Sequence, residues 1–151
     1  MRTTFLLAFA VCIFCACKKD KFTTEPQIEY KSVRPNYTSV EVGSTIPEIT
    51  FGITDAQGDL GLKTGSDTSF IYLTNNRTGR SDSLPFPDLG ASGKSNFKAD
   101  VSVSISTVLE CIALPSGNLH IDTLFFDIYV RDFAKNKSNV ITSEPIYFNC
   151  R

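Results

Sequence analysis

The sequence predicts an all-β domain: an antiparallel β-sandwich of about seven strands behind an N-terminal leader. Three observations predict it. Period-two alternation recurs along the chain, clusters of Gly, Pro, Asn and Asp separate the alternating runs, and no amphipathic helical stretch of useful length interrupts them.

The clearest strand is 97–105. Phe97, Ala99, Val101, Val103 and Ile105 face one way, and Lys98, Asp100, Ser102 and Ser104 the other. In 124–130, Leu124, Phe126, Ile128 and Val130 alternate in the same manner, as do Ile49, Phe51 and Ile53 in 49–53. Such alternation fits strands with one face buried. Strands are therefore expected at 28–33, 39–42, 48–54, 69–74, 82–86, 97–106, 121–131 and 139–149. Between them lie Thr54–Gly61, Asn75–Gly79, Pro85–Gly93, Pro115–Asn118 and Asp132–Asn136, all rich in turn-forming residues. About seven short strands at this spacing fit an immunoglobulin-like sandwich. The chain has no Trp to serve as the buried strand Trp of antibody domains. Its cysteines are not spaced to join the two sheets in the antibody manner. A fibronectin-III-like or bacterial Ig-like variant is expected instead.

The first residues are of another kind. Arg2 is followed by Phe5–Cys17, thirteen apolar or small residues ended by Lys18-Lys19-Asp20. This matches the apolar core of a secretory signal and is short of the roughly 20 residues a spanning helix needs. The segment Phe14-Cys15-Ala16-Cys17 resembles a relaxed bacterial lipobox. Cys17 is the preferred acceptor over Cys12 and Cys15, because Ala16 precedes it and charge follows at once. The resemblance implies a diacylglycerated, N-acylated Cys17. With more than one acyl chain, each CH₂ adding roughly 0.8 kcal/mol, such anchoring is stable. The expected organisation is a signal peptide at 1–16, a lipidated tether at 17–26 and the β-domain at 27–151.

The whole chain has 151 residues, 42% of them hydrophobic, so one domain with a real core is expected. Without Arg2, 14 basic residues face 16 acidic ones. No basic field exists to attract a phosphate backbone, and nucleic acid is excluded as an expected partner.

Once Cys12, Cys15 and Cys17 are set aside, Cys111 and Cys150 remain. In an oxidising envelope such a pair suggests a disulfide. Closing a loop of about 40 residues would stabilise by roughly 4 kcal/mol in the chain-entropy model. Two buried thiols are the alternative.

The start Cys17-Lys18-Lys19-Asp20 resembles many lipoproteins of Bacteroidetes. Asp55-Ala-Gln-Gly58-Asp59-Leu60-Gly61 is similar to the Asp/Gly-rich turn of small lipoproteins of that phylum. Val130-Arg-Asp132-Phe-Ala134-Lys135-Asn136 resembles the Asp-x-Ala-Gly-Asn hairpin of bacterial Ig-like domains, with Lys135 at the Gly position. The resemblance implies the fold and an outer-membrane address, facing either the periplasm or the outside. It implies no settled activity.

In an Ig-like sandwich the loops holding Asp55 and Asp59 lie at the same end as that holding Asp132. Together with Asp67 or Asn136 they would offer oxygens to calcium, a hard cation taking six to eight. The alternative is that each Asp caps its own turn. No cofactor is otherwise required. Asp82-Ser83-Leu84 looks like the short O-glycosylation motif of Bacteroidetes envelopes, with Ser83 the acceptor, and Asp122-Thr123-Leu124 has the same pattern. Tyr129 and Tyr147 are expected on an exposed face, where they would bind a glycan or form cross-strand pairs. With His120 the only histidine, no His-based triad is drawn and no enzyme is expected. The expected role is a lipid-anchored envelope module holding a protein or glycan, or else an accessory subunit with no ligand of its own.

Overall fold

The computed structural model describes residues 22–61, 68–88, 94–112 and 120–150. Cys12, Cys15 and Cys17, with the signal peptide and the first part of the tether, lie outside the described residues, as does Asp67. Among the described residues there is no helix and there are ten strands. They are β1 (Gln27–Arg34), β2 (Tyr37–Ser39), β3 (Glu48–Asp55), β4 (Phe70–Asn75), β5 (Ser81–Pro85), β6 (Phe97–Ser104), β7 (Ile121–Leu124), β8 (Phe126–Arg131), β9 (Ile141–Thr142) and β10 (Ile146–Asn149).

Three sheets result, in the orders β1-β3-β6, β2-β10-β7 and β5-β4-β8-β9. All contribute to one buried cluster. Ile49, Phe51 and Ile53 of β3, Val101 and Val103 of β6, and Phe126, Ile128 and Val130 of β8 all point into it, as their alternation requires. Each such aliphatic or aromatic side chain contributes about 1.5–3 kcal/mol on burial, and this shared interior is what fixes the strand phases.

Two departures from the expected strands have local causes. The stretch 121–131 divides into β7 and β8, and 139–149 into β9 and β10. At the first break, the carbonyl of Phe125 accepts from Asn76 N instead of from a neighbouring strand. At the second, Pro145 has no N–H to give to a ladder. Buried serines fill the gaps: Ser143 Oγ accepts from Phe126 N at 3.0 Å, and Ser138 Oγ from Val130 N at 2.9 Å. The expected strand at 39–42 is displaced to Tyr37–Ser39, and Val42 is fully exposed. There β2 runs parallel to β10, so the pairing is not wholly antiparallel. Among the described residues, ten strands therefore stand where about seven were expected.

Cys111, beyond the end of β6, is joined to Cys150, just past β10, as a disulfide with Cα atoms 5.9 Å apart. Cys150 N also donates to the His120 carbonyl at 2.9 Å. The last strand is thus tied both to the connection after β6 and to the entry into β7.

Candidate functional site

Asp55 ends β3 and Asp132 follows β8 directly, so each carboxylate is placed by a strand end. Both are fully buried, while Asp59 is partly buried in the connection after β3. Gly58 takes a φ of 65°, which turns the chain sharply between Asp55 and Asp59. The two loops are then joined by backbone, Phe133 N donating to Asp59 O at 3.0 Å. One oxygen from each of Asp55, Asp59 and Asp132 lies within 4.8 Å of the other two. The three residues named from sequence therefore do come together.

The turn-capping alternative is also real, and it uses only part of the cluster. Asp55 Oδ1 accepts from Gln57 N at 2.9 Å and from Gly58 N. Asp132 Oδ1 accepts from Asn136 N, and its Oδ2 from Asn136 Nδ2, both at 2.8 Å. Asp55 Oδ2 and Asp59 Oδ1 are buried with no hydrogen-bond donor. All three carboxyls are raised above the ordinary carboxylate range. Burial is the main cause in each, with the charge of Asp132 adding for Asp55, that of Asp55 for Asp59 and that of Asp59 for Asp132.

A second group, His120, Asp122 and Cys150, also converges. Its sulfur is spent in the disulfide and offers no thiolate. Asp122 is buried, with His120 Nε2 at 3.3 Å and Arg77 Nη2 at 3.9 Å, and it accepts from Ile112 N at 3.1 Å. It holds the backbone beside the bridge. The signal was present in the sequence: Asp122 has the inward parity of Leu124 and Phe126.

Tyr129 and Tyr147 lie in different sheets. Tyr129 instead pairs with Tyr72 of β4, the rings stacked at 4.6 Å and 4°. Arg131 stands 5.8 Å from the Tyr72 ring and Lys137 4.1 Å from that of Tyr129, so this is a cross-strand column with cations on its rings. Tyr147 lies beside Tyr37 of β2 and Thr123 of β7. Tyr37 is 49% exposed, Tyr147 42% and, next along β7, Ile121 58%. Ser83 is exposed on strand β5, and Thr123 is exposed on β7.

No family model, curated protein or solved structure matches this chain.

Proposed function

We propose that this chain is a non-catalytic, lipid-anchored protein of the bacterial cell envelope, whose Ig-like β-sandwich serves as a binding or interaction module at the outer membrane. The leader Phe5–Cys17 with the charged Lys18-Lys19-Asp20 behind it supports the anchor at Cys17. The Cys111–Cys150 disulfide supports an oxidising compartment. The strand order supports the Ig-like reading: β1-β3-β6 forms one side, and β5-β4-β8-β9 runs on through the divided strands into β2-β10-β7 on the other.

The observation that carries the binding reading is the exposed face of the β2-β10-β7 sheet. Tyr37, Tyr147 and Ile121 leave aromatic and aliphatic surface in water there, with Thr123 between them. Exposed Tyr side chains of this kind contribute large contact area to partners. The Tyr72–Tyr129 column is less suited to a flat sugar, because each ring already stacks on the other and faces a cation. The accessory-subunit reading draws on the same face, since a three-residue edge strand and apolar side chains also suit a fixed assembly contact.

Two measurements test the reading. Cys17→Ser releases the protein from the membrane fraction or blocks its maturation; unchanged membrane partitioning refutes the anchor. Detergent-extracted envelopes run on native gels show the protein in a larger complex, or a purified glycan panel shows binding, and Tyr37→Ser with Tyr147→Ser removes it. If the double variant behaves as the wild type in both assays, the face is not the binding surface.

A further inference from the structure

The loop cluster holds two buried carboxylate oxygens without a well-formed hydrogen bond, Asp55 Oδ2 and Asp59 Oδ1, although the Asp59 and Ala134 amides lie near these carboxyls. Asp55 is fully buried, and its other oxygen is already committed to Gln57 N and Gly58 N. A buried acceptor without a donor is costly, and a buried carboxylate beside two others more so. Such an arrangement calls for a positive partner.

We propose that Asp55, Asp59 and Asp132 form a site for one calcium ion, which joins the β3–β4 and β8–β9 connections at one end of the domain. The donor set selects the class of ion. It is made of oxygens, with no imidazole or thiolate, and so suits a hard cation rather than zinc or copper. The spacing suits the size. Oxygens on opposite sides of calcium lie up to about 5 Å apart, given Ca–O distances of about 2.3–2.6 Å, and the three ligand atoms fall within 4.8 Å. Magnesium demands a tighter octahedron and retains several waters, which a largely buried trio does not favour. The ligands are also preset. The Phe133 N to Asp59 O bond holds the two loops together, and Asn136 fixes the Asp132 carboxylate by two contacts. The tether reaches the same end of the domain, with Ala56 N donating to Thr23 O at 3.0 Å. The site is independent of the binding face proposed above, so either can fail alone.

The test uses the purified protein freed of metal with EDTA. Isothermal titration with calcium gives one site with Kd at or below about 1 mM, the range of extracellular calcium modules. Calcium at about 5 mM raises the melting temperature by about 5 °C or more. Asp59→Asn and Asp132→Asn each weaken binding about tenfold or more, as expected when charge count tunes affinity. Both keep the wild-type circular dichroism in EDTA. Asp100→Asn, which alters a surface carboxylate paired with Lys31, leaves binding unchanged. Three results overturn the proposal: no heat and no melting shift for the wild type, an equal shift in the Asp59→Asn/Asp132→Asn double variant, or an equal shift with magnesium. If the variants do not fold, the wild-type stoichiometry still decides, and a value near zero refutes the site.

Discussion

Lys135 has a φ of 70°, in the left-handed region that costs an L-residue with a Cβ about 1–2 kcal/mol. It tolerates this because the turn around it is over-determined. Lys135 N donates to Asp132 O at 3.2 Å, Asp132 N donates to Asn136 O at 3.2 Å, and Asn136 grips the Asp132 carboxylate. The turn thus holds a lysine in a conformation that usually takes glycine. Lys135→Gly is expected to stabilise the domain by about 0.5–1 kcal/mol, the relieved strain less the extra entropy glycine loses on folding. Urea unfolding measures it, and a loss of stability would show that the lysine side chain makes a contact worth more than the strain. At this scale the candidate site was largely legible. If the loops of a β-sandwich share one end, Asp- and Gly-rich turns after two strands point to a cluster, and Asp55, Asp59 and Asp132 do meet. What sequence could not reveal is that Asp55 spends one oxygen on its turn and leaves the other without a donor. That depends on sub-ångström placement of the loops.

At the scale of elements, alternation located the strands well because burial of one face enforces it. It could not show where pairing would stop. Pro145 and the carbonyl of Phe125 divide two long strands, and the side chains of Ser138, Ser143 and Asn139 give backbone groups partners that no strand supplies. Asn139 is the clearest case. Its Oδ1 accepts from Ile28 N at 2.8 Å and its Nδ2 donates to Ile28 O at 2.9 Å, so one amide side chain occupies the free edge of β1. Unpaired edges invite unwanted pairing, and this clamp closes one. Asn139→Ala is expected to cost about 1–2 kcal/mol and to speed hydrogen exchange at the Ile28 amide. If exchange there is unaltered, the clamp contributes nothing in solution. Nothing in the sequence marks Asn139 for this role, because its partner is 111 positions away.

For the whole molecule, the Cys111–Cys150 bridge spans 39 positions and links the connection after β6 to the last strand. Reduction, or Cys111→Ser with Cys150→Ser, is expected to lower stability by about 2–4 kcal/mol. Denaturant midpoints with and without reductant measure this, and coincident midpoints would mean that the bridge restrains little of the unfolded chain. The pairing was anticipated by counting cysteines, and the core by parity, because both are properties of residue type and spacing. By itself the sequence determined the all-β class, the inward-facing set of Phe51, Phe126, Ile128 and their neighbours, and the two acidic turns. It could do so because a half-buried strand must alternate and a tight turn must use permissive residues. Only the tertiary structure decided the rest: which tyrosines meet, how β2 runs parallel to β10, and which carboxylate oxygens are left without a hydrogen-bond partner. These are contacts between segments distant along the chain. They are set by how the sheets close on a single core, and no local pattern encodes them.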